Sequence, residues 1–219
     1  MARVDVRQRL ERRIRRAHLD VSGEVFARLV GYFTLLTTWN QKMNLTADVE
    51  SDEAVDRLIV EPLMAARFIQ PAGALVIDIG SGGGSPALVL KSALPGLNLW
   101  MVEAKTRKSA FLREVARQLG LDRVTVETSR FETLLTRPDL HESFDFVTIR
   151  AVRIDAGALI NLQALLKPAG QILLFSSSML AKIEGPTRPL VVEAVEPLVQ
   201  SLGSQLVRFR KLPLSQTRS

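Results

Sequence analysis

Cysteine is absent from the chain, and histidine occurs only as His18 and His141. The absence of cysteine excludes disulfide bonds, thiolate metal sites, iron–sulfur clusters and thiol nucleophiles, and it fits a reducing compartment. Two histidines give little support for a metal site or a histidine-centred triad. The sequence also lacks an apolar run long enough for a signal peptide or a membrane span. We therefore expect a cytoplasmic protein that binds neither membrane nor metal.

The chain has enough apolar sequence for one core, because 47% of its 219 residues are hydrophobic. Its charge is distributed unevenly: residues 1–18 carry +5 and residues 205–219 carry +4, whereas the whole chain carries +6. The body between the two basic ends is therefore mildly acidic. Basic ends are typical of proteins that approach a polyanion, although a solvated arginine-rich helix gives the same pattern.

The pattern of apolar residues changes near Pro71-Ala72-Gly73. Before this point apolar residues recur at helical spacing, and Ser22 and Ser51 are suited to cap the second and third helices. After it, short β-rich runs alternate with amphipathic segments. We predict a helical extension, residues 1–72, packed on a core domain of residues 73–219.

The second region predicts a doubly wound α/β sheet. Five apolar runs are strand candidates: 75–79, 97–102, 123–128, 144–149 and 171–175. Helical patterns lie between or beside them, at 86–93, 106–119, 129–135 and 155–165. Nearly continuous apolar strands that alternate with helices are typical of parallel units buried on both faces. Two further runs, 190–194 and 206–212, have no long helix between them and predict an antiparallel edge.

A glycine-rich segment, Asp78-Ile79-Gly80-Ser81-Gly82-Gly83-Gly84, directly follows the first predicted strand. Glycines let a ligand lie against bare backbone, and ligands of open α/β sheets bind at this end. Residues Gly82 to Ala87 also match the dinucleotide pattern G-x-G-x-x-A. Because Asp78 would repel a pyrophosphate, the segment favours S-adenosylmethionine, which carries an ammonium and a sulfonium. A glycine-rich turn without a ligand is the remaining alternative.

Three other segments are expected at the same end of the sheet. Glu103 ends the second strand, where an acid accepts hydrogen bonds from ribose hydroxyls. Ser129-Arg130-Phe131-Glu132 follows the third strand, and Phe131 and Glu132 are candidates for contact with an adenine. Arg150 ends the fourth strand and cannot remain buried without a partner. It faces either a pocket, which we favour, or a structural ion pair.

The residues after the fourth strand bear on which atom is modified. Many methyltransferases that act on exocyclic amines have an Asn/Asp-Pro-Pro-aromatic tetrad there, whereas this chain has Ile149-Arg150-Ala151-Val152. Methylation of pyrimidine C5 through a thiolate is excluded by the absence of cysteine. A ring nitrogen such as guanine N7 is favoured, because its lone pair is free and no proton has to be removed.

The chain resembles the RsmG/GidB family of 16S ribosomal RNA methyltransferases over nearly its whole length. The resemblance rests on Trp39-Asn40, Asn44-Leu45-Thr46, Asp78 to Gly84 with Pro86, Arg107-Lys108, Phe111-Leu112-Arg113, Ser129 to Glu132, and Asp145 to Ala151. It implies a Rossmann-like class I S-adenosylmethionine methyltransferase sheet. It also implies methyl transfer to guanine N7 in the decoding region of 16S rRNA, with the 30S ribosomal subunit as partner. We expect a monomer.

The resemblance also assigns individual residues. It places Gly80, Ser85, Phe131, Glu132 and Arg150 at the cofactor or the catalytic crevice, and it places Arg130, Arg107 and Lys108 near RNA. With the residues argued above, the predicted cofactor set is Asp78, Gly80, Gly82, Ser85, Glu103, Phe131, Glu132 and Arg150. The predicted catalytic residues are Arg150 and Arg130. The predicted RNA contacts are Arg12, Arg13, Arg15, Arg16, Arg107 and Lys108.

This chain departs from the family pattern at several positions. Ser85-Pro86-Ala87 stands where the family often has Leu-Pro-Gly, and Leu58 and Glu61 replace a His-x-x-Asp pair. The segment Leu174-Phe175-Ser176-Ser177 replaces one that carries a lysine. The departures at Leu58 and Ser176 leave open a ribosome-binding module that has lost its chemistry. The G-x-G-x-x-A match leaves open a dinucleotide-dependent oxidoreductase.

Overall fold

The computed structural model of the protein describes residues 5–152, 155–176 and 189–213. In this part of the chain, one sheet has seven strands in the order β3-β2-β1-β4-β5-β7-β6. Their bounds are β1 Leu75–Ile79, β2 Asn98–Val102, β3 Val124–Glu127, β4 Phe144–Arg150, β5 Leu166–Ser176, β6 Leu190–Pro197 and β7 Gln205–Lys211. Strands β1 to β5 are parallel, and β7 is antiparallel to β5 and β6. The predicted fold class is confirmed.

Helices flank the sheet and form the N-terminal part. Their bounds are α1 Val6–Arg16, α2 Gly23–Asn40, α3 Asp52–Val55, α4 Glu61–Ala65, α5 Ala87–Ala93, α6 Thr106–Gln118, α7 Phe131–Leu134 and α8 Ala156–Leu162. A π-helical turn, Asp56–Val60, joins α3 to α4. As predicted, Ser22 and Ser51 cap α2 and α3, because their hydroxyls accept hydrogen bonds from the amides of Val25 and Ala54 at 3.3 and 3.0 Å.

The two faces of the sheet are covered by different layers. Because side chains alternate along a strand, Val76 and Ile77 of β1 belong to different hydrophobic clusters. The cluster that contains Val76 also contains Leu10 of α1, Phe33 of α2 and residues of α5 and α6. The N-terminal helices therefore share a hydrophobic core with the sheet. The domain boundary after residue 72 stays a prediction.

The strand order positions a crevice at the carboxyl ends of the strands. It reverses at β1, whose neighbours are β2 and β4. Open parallel sheets bind ligands where the order reverses, outside the carboxyl ends. The segments that follow β1, β2, β3 and β4 therefore border one crevice, and these are the segments that carry most of the predicted cofactor residues.

The described part of the basic C-terminal segment, residues 205–213, is built into the sheet. Three of its four basic residues, Arg208, Arg210 and Lys211, belong to β7, which lies inside the sheet between β5 and β6. Arg208 is ion-paired with Glu193 at 3.0 Å, and the buried Lys211 is ion-paired with Glu142 at 2.9 Å. A count of charges along the chain does not record such partners from other parts of the fold. Arg218 lies outside the described residues.

No helix in the described ranges has both the length and the apolar character needed to cross a bilayer. Within the same ranges, histidine and acidic side chains do not gather in groups of three or more that could hold a metal ion.

Candidate functional site

The glycine-rich loop after β1 is fastened to β2 by its backbone amides. The amides of Gly80 and Ser81 both donate to the carbonyl of Val102, at 2.9 and 3.0 Å. The amide of Gly82 donates to Oε2 of Glu103 at 2.9 Å. Three successive N–H groups of the loop are therefore already bound to acceptors at the end of the neighbouring strand.

Two positions in this loop require glycine. Gly80 has a φ of +72°, and a Cβ there would lie 2.5 Å from Cγ2 of Val152. Gly84 has a φ of +91°, and a Cβ there would lie 2.3 Å from Cδ1 of Leu88. Residues with a side chain rarely adopt these conformations. Both the path of the loop and its close packing therefore depend on these glycines.

The hydrogen bonds of the loop distinguish between two kinds of ligand. A pyrophosphate binds to free amides at a glycine loop, but those of Gly80, Ser81 and Gly82 are engaged. A pyrophosphate would also approach the carboxylates of Asp78 and Glu103. A ligand with positive charge meets neither obstacle. The geometry therefore favours a cationic ligand over a dinucleotide.

Glu103 is held in one orientation at the end of β2. Its side chain is buried, and its two oxygens accept hydrogen bonds from the amides of Gly82, at 2.9 Å, and Lys105, at 2.8 Å. A carboxylate offers about four lone-pair sites, so each oxygen can accept a further hydrogen bond. A fixed carboxylate with spare acceptor sites is suited to bind a pair of hydroxyl groups such as those of ribose.

Asp78 is a buried acid in β1 with an incomplete set of partners. Its Oδ1 accepts a hydrogen bond from the hydroxyl of Thr148 at 2.6 Å. Its Oδ2 has no hydrogen-bond partner in the described ranges. Burial raises the pKa of Asp78 to about 6, although the hydrogen bond from Thr148 and the charge of Arg150 oppose the shift. A nearby positive charge would stabilise this carboxylate.

Arg150 forms a buried ion pair at the end of β4. Its Nη2 donates to Oε2 of Glu61 at 2.9 Å, and its Nη1 lies 3.4 Å from the hydroxyl oxygen of Ser85. The two charged side chains are only 10% and 4% exposed. Burial lowers the pKa of Arg150 and raises the pKa of Glu61, and the charge of each partner opposes these shifts. The structure thus shows the ion pair, the outcome we favoured less, although the contact with Ser85 leaves Arg150 beside the glycine loop.

The segment after α2 folds back onto the loop. The side-chain oxygen of Asn40 accepts hydrogen bonds from the amides of Leu45 and Thr46 at 2.9 and 3.0 Å. The resulting turn brings the Leu45 carbonyl close to the loop, where it would lie 3.6 Å from a Cβ on Gly83. Lys108 of α6 donates to the same carbonyl at 3.3 Å. The Asn40 and Leu45-Thr46 part of the family resemblance therefore lies against the glycine loop.

The segment after β3 lies at the rim of the crevice but does not bond to the loop. Phe131 is half-buried against the hydrophobic cluster that contains Ile77, and Arg130 and Glu132 are exposed. The hydroxyl of Ser129 is buried without a hydrogen-bond partner in the described part of the chain. The roles predicted for this segment stay predictions.

The side chains predicted to contact RNA differ in their exposure and in whether they form ion pairs. Three arginines of α1 form ion pairs: Arg12 with Asp52, Arg13 with Asp56 and Arg15 with Glu11. The side chain of Arg13 is only 10% exposed, so its pair attaches α1 to the π-helical turn. Arg16 and Arg107 are exposed and form no ion pair within the described ranges. Lys108 is half-buried. Arg16 and Arg107 are therefore the most available of these cations.

Two residues of this site were not predicted from the sequence. Thr148 interrupts the apolar run of β4, and a polar residue there signals a buried polar partner such as Asp78. Tyr32 is fully buried in α2, and its hydroxyl donates to the carbonyl of Gly83 at 2.8 Å. Its spacing among apolar residues is that of an ordinary core position, so the sequence carries no sign of this contact.

Comparison with known proteins agrees with this geometry. Residues 26–203 match the GidB family model, described as rRNA small subunit methyltransferase G. Ribosomal RNA small subunit methyltransferase G of Halorhodospira halophila is 33% identical over 192 residues, covering 87% of this chain and 88% of that protein. The protein of the same name from Prochlorococcus marinus is 37% identical over 201 residues, covering 90% and 78%. A SAM dependent methyltransferase from Aquifex aeolicus, 13% identical, shares the fold with a TM-score of 0.53 and coverage of 83% and 98%.

Proposed function

Because the chain belongs to the family of rRNA small subunit methyltransferase G, we propose that it transfers a methyl group from S-adenosylmethionine to N7 of a guanine in 16S rRNA. The observation that carries this proposal is the glycine loop, whose amides are engaged while Asp78 and Glu103 border it. Such a loop suits a cationic methyl donor better than a phosphate-bearing cofactor. The oxidoreductase alternative has no support in this geometry.

The residues present fit S-adenosylmethionine. Glu103 would accept hydrogen bonds from the ribose hydroxyls, and the unpartnered Oδ2 of Asp78 would provide a buried negative charge for the cationic part of the ligand. Phe131 and Glu132 are assigned to the adenine. When bound, S-adenosylmethionine supplies a methyl group that needs no further activation before transfer.

Guanine N7 suits this crevice as an acceptor. Its lone pair is free, so the chain does not need to supply a general base. An arginine remains protonated in proteins, and Arg150 therefore does not act as that base. Arg150 and Arg130 are assigned to orienting the guanine, because guanidinium groups donate to guanine O6. Catalysis then depends on holding the base and the methyl donor in line.

The substrate is proposed to be the assembled 30S subunit, and the enzyme is proposed to act in the cytoplasm as a monomer. Arg16 and Arg107 are exposed without ion pairs in the described ranges, so both can meet RNA phosphates. Contacts of this kind release counterions and supply affinity that does not depend on sequence. The paired Arg12 and Arg15 would have to exchange an acidic partner for a phosphate.

The test uses labelled S-adenosylmethionine with 30S particles from a strain that lacks this enzyme. We expect label in 16S rRNA, and strand scission specific for N7-methylguanosine at one guanine. Naked 16S rRNA is the second substrate. Particles that bind the protein in a salt-dependent manner but take up no label would contradict the proposal and identify a binding module without chemistry. Calorimetric binding of a nicotinamide dinucleotide, without binding of S-adenosylhomocysteine, would instead indicate an oxidoreductase.

A further inference from the structure

Tyr32 connects the N-terminal helices to the glycine loop. Its side chain is fully buried, and its hydroxyl donates to the carbonyl of Gly83, 51 residues later in the chain, at 2.8 Å. Leu36, one helical turn further along α2, contacts the same glycine, since a Cβ on Gly83 would lie 3.2 Å from its Cδ1. One face of α2 therefore packs directly on the loop.

The hydrogen bond from Tyr32 fixes the orientation of one peptide group. The peptide that joins Gly83 to Gly84 has its carbonyl bound by Tyr32 and its N–H bound by the carbonyl of Ser81 at 2.6 Å. A peptide between two glycines rotates at little steric cost, because glycine populates both signs of φ. Two hydrogen bonds at opposite ends of the peptide therefore select one of its orientations.

The Tyr32 hydroxyl is maintained as a donor by its surroundings. Burial raises the pKa of Tyr32 well above its usual value, and the charge of Asp78 adds to the shift while the charge of Arg150 opposes it. The phenol therefore keeps its proton at neutral pH and can donate this hydrogen bond. The same two charges border the glycine loop, so the hydroxyl lies within the polar part of the site.

We propose that Tyr32 is a positioning residue for the methyl donor, because its hydroxyl holds the peptide between Gly83 and Gly84 in the orientation in which the loop accepts the cofactor. This inference rests on the proposed function, and it adds the N-terminal helices to the cofactor site. Without the hydroxyl, a fraction of the molecules carries the peptide in another orientation. The apparent affinity for the cofactor then falls in proportion to the fraction that remains competent.

The test compares Tyr32→Phe with Thr37→Val. Thr37→Val also removes a hydroxyl from α2, but in the described part of the chain that hydroxyl bonds only to the Phe33 carbonyl within the helix, at 2.8 Å. We expect Tyr32→Phe to raise both the Kd for S-adenosylhomocysteine and the KM for S-adenosylmethionine about tenfold. The kcat at saturating cofactor should remain within about twofold, because the competent fraction is restored by mass action. Thr37→Val should leave both constants unchanged.

A second measurement does not depend on the variant. Tyr32 is the only tyrosine of the chain, so incorporation of 3-fluorotyrosine gives one fluorine signal from the intact enzyme. We expect this signal to shift when S-adenosylhomocysteine saturates the site. A signal that does not move, or a Tyr32→Phe variant that binds as well as the wild type, would overturn the positioning role. A wild type that binds no S-adenosylhomocysteine would overturn the proposed function instead.

Discussion

Arg150 at the end of β4 donates a hydrogen bond to Glu61, 89 residues earlier in the chain, at 2.9 Å. Its second nitrogen lies 3.4 Å from the hydroxyl oxygen of Ser85 in the glycine loop. This ion pair joins the N-terminal helices, the sheet and the loop at one point. Its two charges are therefore expected to affect both the stability of the fold and the chemistry of the crevice.

Removal of one charge from this pair should destabilise the fold strongly. Glu61→Gln leaves Arg150 buried without a counter-charge, and we expect the free energy of unfolding to fall by about 3–5 kcal/mol in urea titrations. The matched control is Glu11→Gln, which removes an exposed pair with Arg15 and should cost less than about 1 kcal/mol. Equal losses in the two variants would contradict the burial of the pair.

Removal of both charges separates stability from catalysis. In the double variant Glu61→Leu with Arg150→Met, neither charge of the pair remains, and stability should stay within about 2 kcal/mol of the wild type. Methyl transfer to 30S particles should nevertheless be lost, because the double variant lacks the Arg150 guanidinium, one of the two assigned to orienting the base. A folded double variant with full transfer would show that Arg150 has only a structural role.

Substitution of Glu103 should weaken cofactor binding. In Glu103→Gln a single amide oxygen has to replace two carboxylate oxygens that accept from Gly82 and Lys105, and the charge is lost. We expect the Kd for S-adenosylhomocysteine to rise at least about tenfold by calorimetry, since hydrogen bonds to charged groups contribute about 1.5–3 kcal/mol. Glu127→Gln, at the end of β3, is the control and should bind normally. Normal binding by Glu103→Gln would remove this residue from the site.

The affinity for S-adenosylmethionine should decrease in acid. The pKa of Asp78 is about 6, so its carboxylate is charged above that pH and protonated below it. We expect a constant Kd above about pH 7 and a rising Kd as the pH falls through 6. Asp78→Asn should abolish this dependence. A wild-type Kd that does not change between pH 5 and pH 8 would disprove the proposed contribution of Asp78.

The raised pKa of Asp78 has the opposite effect on the free energy of unfolding of the free enzyme, which should be larger in acid. The pKa of Asp78 is raised above its ordinary value of 3.8, so the folded chain binds this proton more tightly than the unfolded chain does. This carboxyl therefore contributes stability at low pH, and the contribution is lost as the pH rises through 6. Bound S-adenosylmethionine should reduce the loss, which thermal unfolding with and without ligand can measure.

Two arginines predicted to bind RNA should behave differently. Arg107 is exposed and unpaired in the described ranges, so Arg107→Gln should reduce the slope of log affinity against log salt for 30S particles by about 1. Arg13 is buried in an ion pair with Asp56, so Arg13→Gln should lower the melting temperature and leave the salt dependence of binding unchanged. The reverse outcome would contradict the assignment of Arg107 to RNA and of Arg13 to the fold.

The sheet could be predicted from the sequence because each strand is marked by its own residues. The apolar run 75–79 and strand β1 coincide, and β4 extends only one residue beyond the predicted run. Strand β5 begins at Leu166 rather than at residue 171, because Lys167-Pro168-Ala169-Gly170 resembles a turn. Local patterns thus located the strands. The crevice followed, because the carboxyl ends of parallel strands meet at one edge of the sheet.

The partners of the polar side chains could not be predicted in the same way. Glu61 and Tyr32 reach the site only because the N-terminal helices pack on the sheet, and no local pattern records that packing. The ion pairs of the C-terminal segment could not be predicted for the same reason, since Arg208 faces Glu193 across a strand pair. Contacts between distant parts of the chain depend on tertiary structure, which composition and periodicity do not contain.

The position of β7 also has a consequence for the folding of the protein. Strand β6 is made first, yet within the described sheet it pairs only with β7. A chain in which β7 has not yet docked therefore presents β6 without a partner and β5 with an open edge. Open edges recruit other strands and promote aggregation. Docking of β7 thus pairs β5 and β6 in one step, and until then both strands are open to pairing with other chains.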